Sequence, residues 1–422
     1  MRKKITFRIT MATTIVAVIS LFVIAGGVGA AAGITLRQED DSDQATINSA
    51  ISTAASWLAS VHQNDDGGYT SFSMGSNIGP SDVAGTVDAM LALASGGADI
   101  EPPLTFLRDN LEQVSQYAAI DGSTAGKIII ALAAADEDPG DFMGHDFAID
   151  LTNHLSPTGQ YGVSGAFNQS LAILGLTAAG DPAPDNAIEW LIDQQAREGD
   201  LAGSWSDGFG TDGNADTTAM AIMAIANSEH PAASEAMAEA MDFLHRTQLP
   251  SGGWEYGLGF GENANSTALV LQSLGAIGED VNSSENQWSK EGITPLSALL
   301  HWQGDSGAFQ ADFGDGPFDD FFSTIQSLPA LASVRNMTEQ IFAPALAAET
   351  NSEPEPVVAV EPTAHSDEQS QDLVDEIQTE SESDKGASGT GSSLCPSALA
   401  MSFMAGIVVI VPARRRRKQS TF

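Results

Sequence analysis

Phe243-Leu244, Gln248, Ser251-Gly252-Gly253-Trp254, then Asn265-Ser266-Thr267-Ala268 leading into Leu269 to Ala276, is the stretch that decides the fold. It reads as an aromatic-Leu helix, a Gln, a Gly-rich turn carrying an aromatic, a polar start, and a helix of small residues. The phrase returns at Trp190-Leu191, Gln194, Gly203-Ser204-Trp205, then Asp216-Thr217-Thr218-Ala219 into Met220 to Ala226. It returns again at Trp57-Leu58, Gln63, Gly67-Gly68-Tyr69, then Asp82 to Ala94. Weaker copies run through Phe106-Leu107 and Asp121 to Ala135, through Gly159-Gln160-Tyr161 and Asn168 to Ala179, and through Leu299-Leu300, Gln303, Gly307-Ala308-Phe309 and Ser323 to Ala332. A period of this size marks a supersecondary unit that cannot bury its apolar face alone.

Six units of two helices follow. The second helix of each is expected to start at Asp82, Ser123, Asn168, Asp216, Asn265 and Ser323, whose side chains suit the open N–H groups of a first turn. Its body is apolar all round, as in Ala219 to Ala226, so it belongs inside. The first helix has acids on one side, as in Ala233 to Asp242, and belongs outside. Six pairs over residues 47–334 are expected to close into an all-α ring, an α/α toroid with the small-residue helices inside.

The Gln…Gly-Gly-Trp turn and the polar-Thr-Ala helix start resemble the prenyltransferase and squalene-cyclase repeat superfamily. Phe167-Asn168-Gln169-Ser170-Leu171 and Gln326-Ser327-Leu328-Pro329 resemble it most. Within it the chain is similar to bacterial secreted single-toroid proteins and to the helical domain of cobalamin carriers. The second likeness implies a corrinoid as a possible ligand, although such carriers add a β-rich domain that the C-terminal stalk of this chain cannot supply.

The ends read differently. Arg2, Lys3, Lys4 and Arg8 precede an apolar stretch and Ala30-Ala31-Ala32, a signal peptide over residues 1–33. A short linker covers 34–46. Residues 335–394 are a linker and an acidic, Ser- and Pro-bearing stalk with too few apolar residues to fold. Residues 395–413 carry no charge and are just long enough to span a bilayer. The basic tail 414–422, with Arg414 to Lys418, should stay cytoplasmic. The expected location is therefore outside the cytoplasm, held to the membrane by the C-terminal helix. The one cysteine, Cys395, lies in that segment, either as an ordinary membrane residue or as a lipidation site.

Between the two ends, 8 basic residues stand against 56 acidic ones, a net charge of −48. That excludes a nucleic-acid partner, since phosphate binding needs clustered cations. Solubility in salt or cation binding would explain the acids.

Several chemistries can be weighed on residues. The cyclases of the superfamily protonate an alkene with the middle acid of Asp-x-Asp-Asp-Thr-Ala. The matching stretch here is Asn214-Ala215-Asp216-Thr217-Thr218-Ala219, so Asp216 holds the acid's place and both flanking acids are lost. The same repeat position elsewhere carries other polar residues, which makes Asp216 a helix cap. The resemblance also implies what is missing: the cysteine of a prenyltransferase zinc site and the Cys-Gly-Glu-Gln of a thioester. A carboxylate pair for carbohydrate chemistry stays open, because acids are abundant. Asp212, Asn214 and Asp216 alternate as in the opening of a calcium loop, but Thr217 stands where its Gly would be. His62, His245 and His301 recur beside the repeat Gln and fall on three different units, against a shared zinc.

The expected function is a binding toroid for a bulky small molecule (corrinoid- or isoprenoid-like), a short peptide or a glycan, with a cyclase-like or carbohydrate-active enzyme and a structural surface module as alternatives. Candidate ligand contacts are Asp82, Asn168, Gln169, Asp216, Asn265 and Gln326, with stacking surface from Tyr69, Tyr161, Trp205, Trp254 and Phe309.

Overall fold

The computed structural model describes residues 41–336, apart from 72, 75–76, 163–164, 209–212, 258 and 283. The expected signal, stalk, membrane segment and basic tail therefore lie outside the described residues. Among those described, no helix is long and apolar enough to cross a membrane.

Among the described residues thirteen α-helices follow one another in six units. Unit one has α1 (Asp41–Trp57), continued by a π-helical turn (Leu58–His62), and α2 (Val83–Gly96). Unit two has α3 (Glu101–Asp109), α4 (Leu111–Ala118) and α5 (Gly122–Ala134). Unit three has α6 (Phe147–Asn153) and α7 (Ala166–Ala179); unit four has α8 (Asp185–Asp193) and α9 (Ala215–Ile225). Unit five has α10 (Ala233–Thr247) and α11 (Ala264–Ala276), and unit six has α12 (Pro295–His301) and α13 (Phe321–Asn336). Each of α2, α5, α7, α9, α11 and α13 packs on the next, and α13 packs back on α2. The inner ring is closed, as expected, and its members are buried along nearly their whole length.

The repeat phrase has a physical reason at every position. The Gln ending an outer helix donates to its own turn and to the outer layer of the next unit. Gln195 Nε2 donates to Gly203 O (3.0 Å) and Ala236 O (2.8 Å). Gln248 donates to Gly252 O (2.8 Å) and Trp288 O (2.7 Å). Gln303 donates to Gly307 O (2.8 Å) and, across the seam, to Ala50 O (2.9 Å) on α1. In unit four this residue is Gln195, not the exposed Gln194 that the sequence offered first. The turn glycine must be glycine. Gly203 has φ +91°, and a Cβ on it would lie 2.1 Å from the Glu239 carbonyl oxygen on α10. Gly307 docks the same way on Thr53, so the outer layer closes at the same seam as the inner one.

The caps fall earlier than the sequence suggested. Asp82 does cap α2, its Oδ1 accepting from Gly85 N at 2.8 Å. The others are Asp121, Asn214, Asn263 and Asp320, each accepting from a first-turn N–H. At α7 the cap is Gly165, where a Cβ would strike the Asp207 backbone at 2.3 Å. Four residues past the cap comes a residue that pins the turn aromatic. Thr86, Thr218, Thr267 and Thr324 accept through Oγ1 from the backbone N–H of Tyr69, Trp205, Trp254 and Phe309, and Gln169 Oε1 accepts from that of Tyr161. The true cap hides because Asn and Asp recur two residues apart in the same run.

Candidate functional site

On five of the six inner helices the pinning residues fix which side faces the axis of the ring; on α5, where Ala125 stands at that position, the same count runs from the cap Asp121. The pinning residues point outward, to the turn and the outer helix. At 3.6 residues per turn, positions two, six and nine past the cap lie about 140–160° around from them. Those positions hold Ala84, Asp88 and Leu91 on α2; Ser123, Lys127 and Ile130 on α5; and Phe167, Leu171 and Leu174 on α7. They hold Asp216, Met220 and Met223 on α9; Asn265, Leu269 and Gln272 on α11; and Phe322, Gln326 and Pro329 on α13. These positions are apolar along α7 and α9 below Asp216, and mixed polar and apolar from α11 through α13 and α2 to α5.

Asp216 is thus not the helix cap that the sequence suggested. Asn214 does that work, its Oδ1 accepting from Thr217 N at 2.7 Å. The Asp216 side chain projects from the first turn into the ring, with 4% exposure, and its Oδ1 meets no hydrogen-bond partner among the described residues. Burial raises its pKa from 3.8 to about 7; the Ser266 hydroxyl pulls it down, and the charge of Asp207 pushes it up again. Asp207 is itself buried, in the loop packed on Gly165, and accepts a hydrogen bond from the Tyr256 hydroxyl. The Tyr256 carbonyl accepts from Ala215 N, which lays the 255–262 loop over the start of α9. A buried carboxyl whose pKa is raised to about 7 can give up a proton near neutrality, which is what a general acid does.

The other candidates separate. Asn265 sits on α11 at the position that Asp216 holds on α9, and its Oδ1 also meets no partner among the described residues. Gln326 lies four residues deeper than expected of a helix start, fully buried, with neither Oε1 nor Nε2 partnered among those residues. Gln169 is fully used: it accepts from Tyr161 N and donates to Gly159 O and Ala187 O. Asp82 is spent on its cap and on Ser71. Asn168 is half-buried at the start of α7.

The five turn aromatics do not form a stacking surface. Tyr69, Tyr161, Trp205, Trp254 and Phe309 are buried between outer and inner helices, and both indoles donate to outer-helix carbonyls, Trp205 to Leu191 O and Trp254 to Leu244 O. Burial pushes the Tyr161 hydroxyl up to about 12. A sequence cannot tell an aromatic that packs back on its own unit from one that faces the ring. Among the described residues the exposed aromatics are instead Phe260, Phe313 and Phe318, in the segments leading to α11 and α13.

For metals, Asp212 lies outside the described residues and Asn214 Oδ1 is committed to its cap. Among the described residues no three His, Cys, Asp or Glu come together as a metal-binding group. His62 is buried between Trp57 and Phe321, which lowers its pKa to about 4, with Asp319 offsetting part of the fall. His245, in a different unit, meets Trp288 edge-on.

What sequence reading missed is Asp207, Tyr256, Ser266, Gln272 and the pair Asp88–Lys127. Counting from the pinning residue, rather than from the first polar residue, would have put Asp88 and Gln272 on the axis, and the same count from Asp121 puts Lys127 there.

No family model and no curated protein matches this sequence. Solved structures do resemble the fold. The type II terpene cyclase MstE from Scytonema superposes with a TM-score of 0.53 at 14% identity, covering 70% of this chain and 99% of that one. A variant of MstE in complex with geranylgeranyl dihydroxybenzoate gives 0.54 at 14%, covering 71% and 100%. A glycosidase gives 0.48 at 14%, covering 71% and 99%. The closed double ring and its structural likeness agree: the fold of this chain is a terpenoid cyclase-like α/α toroid.

Proposed function

We propose that the toroid is an acid-catalysing enzyme in which Asp216 donates a proton to an uncharged small molecule held on the axis of the ring. The observation that carries this is the Asp216 carboxyl itself. It is buried, relieved of capping by Asn214, unpartnered at Oδ1 among the described residues, and titrates at about 7. A proton donor works best when its pKa lies near the operating pH. Once the proton has left, the carboxylate sits in the first turn of α9, where the helix dipole and Ser266 favour the charge. The acid so formed is moderate, because the flanking acids of the cyclase motif are Asn214 and Thr217 here. It suits transfer to a substrate oxygen better than to a bare alkene.

Asp216→Asn should lower turnover at least 10³-fold with KM little changed, in the general-acid range of effects. Full activity in that variant, on any substrate the wild-type chain turns over, would remove Asp216 from the chemistry. A pure binding toroid would bind in the same place with no turnover in either protein.

The place of action proposed from the terminal segments is outside the cytoplasm, with the ring tethered by its C-terminus. Protease added to intact cells should release the toroid by cutting between Thr350 and Ser393. A toroid protected until the membrane is broken reverses this topology.

A further inference from the structure

We infer that the outer wall formed by α12 and α1 is the docking face for a second copy of this chain, in a two-fold pair; this goes beyond the acid site and does not depend on it. The carrying observation is a gap in the charge. Between its ends the chain has a net charge of −48. Each of the outer helices α3, α4, α6, α8 and α10 carries at least one Asp or Glu. No Asp, Glu, Lys or Arg stands in residues 44–64 or 292–304, which hold all of α12 and α1 from Gln44 onward. These two helices are neighbours, since Gln303 just past α12 donates to Ala50 O on α1. The uncharged wall is therefore continuous across the seam of the ring. His62, at its edge, is neutral near pH 7, because burial lowers its pKa to about 4.

The wall also holds a groove, and the repeat shows why. Gly307 rests on Thr53 as Gly203 rests on Glu239, so Thr53 and Glu239 are equivalent positions. Counting from them, Ser49, Ser56 and Ser60 on α1 match Glu235, Asp242 and Arg246 on α10. On α10 the long side chains close the joint: Glu239 pairs with Arg197 at 2.9 Å, and Arg246 donates to Ala202 O at 2.8 Å. At the seam Asp305 stands in the place of Arg197, two residues past the repeat Gln. The short hydroxyl side chains leave cavities of about 520 and 510 Å³ there, which meet at Thr53. A helix of a partner can lie in such a groove. Covering it strands no proton of Thr53, Ser56 or Ser60, whose hydroxyls already donate to helix carbonyls at 3.0, 2.7 and 2.6 Å.

Charge selects the partner. A lipid surface needs an apolar face, and this one is mostly hydroxyl. A basic partner would be met better by the acid-bearing walls. An uncharged wall suits a partner whose acids must be kept at a distance, and the chain itself is such a partner. Two copies repel through every other outer face. Paired about a two-fold axis on this wall, they bring uncharged surface to uncharged surface and leave the acids at the rim. Asp305 and Asp319 line the far edge of the groove. The wall is roughly 24 Å long over residues 45–61 and roughly 20 Å wide, so a pair hides about 1,000 Å² in total, the low end for a specific interface. The pair is therefore weak at low salt and tightens as salt screens the rest of the surface.

The test is sedimentation equilibrium of the full chain in a density-matched non-ionic detergent, at about 0.1 M and about 1 M NaCl, where the screening length falls from about 10 to about 3 Å. The dimerisation constant should rise about tenfold or more with the salt. Ser49→Glu with Ser56→Asp gives α1 the acids that α10 carries at the same places, and should weaken association tenfold or more at the higher salt. Thr105→Glu with Gln113→Glu adds the same charge at exposed sites on α3 and α4, and should change it less than twofold. If circular dichroism shows that the α1 variant has lost its helices, Ser297→Glu takes its place. Ser297 is exposed on α12, three residues past the cap Thr294, where Glu suits a capping box, and the same tenfold loss is expected. A monomer at both salts overturns the inference, as does a dimer that weakens as salt rises. Association untouched by the wall variants, or lowered equally by the α3 and α4 pair, puts the interface elsewhere, the expected membrane segment included, and overturns it too.

Discussion

Asp216→Asn should make the protein more stable, and increasingly so as the pH rises. The folded pKa of about 7 stands above the ordinary 3.8. Between those values the folded chain holds a proton that the unfolded chain releases, so stability falls as pH climbs through the window. The cost is complete above about pH 7. Each tenfold in proton affinity is worth about 1.4 kcal/mol, so the limit is about 4 kcal/mol. An amide of the same shape never ionises. Urea unfolding of the two proteins should therefore coincide near pH 4 and diverge by about 2–4 kcal/mol at pH 8. The other carboxylates contribute equally to both curves and cancel. Curves that stay parallel from pH 4 to 8 would show that Asp216 ionises freely, and the acid role would fall with that result.

The largest loss should come from the opposite kind of group. Lys127 Nζ lies 2.6 Å from Asp88 Oδ1, both buried, six residues past the caps of α5 and α2. Burial alone would lower the pKa of Lys127, but Asp88, with Tyr117 and Asp82 further off, more than reverses it, so the ammonium stays charged. Lys127→Met strands Asp88 in the ring and should cost about 3–5 kcal/mol in urea unfolding. Adding Asp88→Leu should restore most of that, since two apolar groups replace a desolvated pair at little net cost. A double variant no more stable than Lys127→Met alone would mean that the pair is not the interaction being broken.

The sequence made the ring legible because its determinants are local and repeated. Gln248, Gly252, Trp254 and Thr267 each have one job, repeated in other units at nearly fixed spacing. The site was legible only in part. Asp216 was found, but as a cap, because Asn214 and Asp216 are equally good caps on paper and only the backbone decides between them. The turn aromatics were assigned to the wrong side, since facing is set by the outer helix they pack on. Asp207 and Tyr256 come together only when two loops 49 residues apart meet. Gln272 and Gln326 look like ordinary helix residues until the pinning threonines give each helix its rotation.

The seam where Gln303 reaches Ala50 and Gly307 rests on Thr53 has a further consequence. A linear stack of repeats frays from its ends, and its terminal units need special polar covers. A ring offers no such starting point: each unit leans on two neighbours, including the first and the last. Opening it means parting two interfaces at once, which favours all-or-none unfolding over peeling. The chain's own break between α13 and α1 is then only one of six comparable joints. Residues 41 and 336 could be spliced and new ends cut at the exposed turn near Ser228, and the same circle should form.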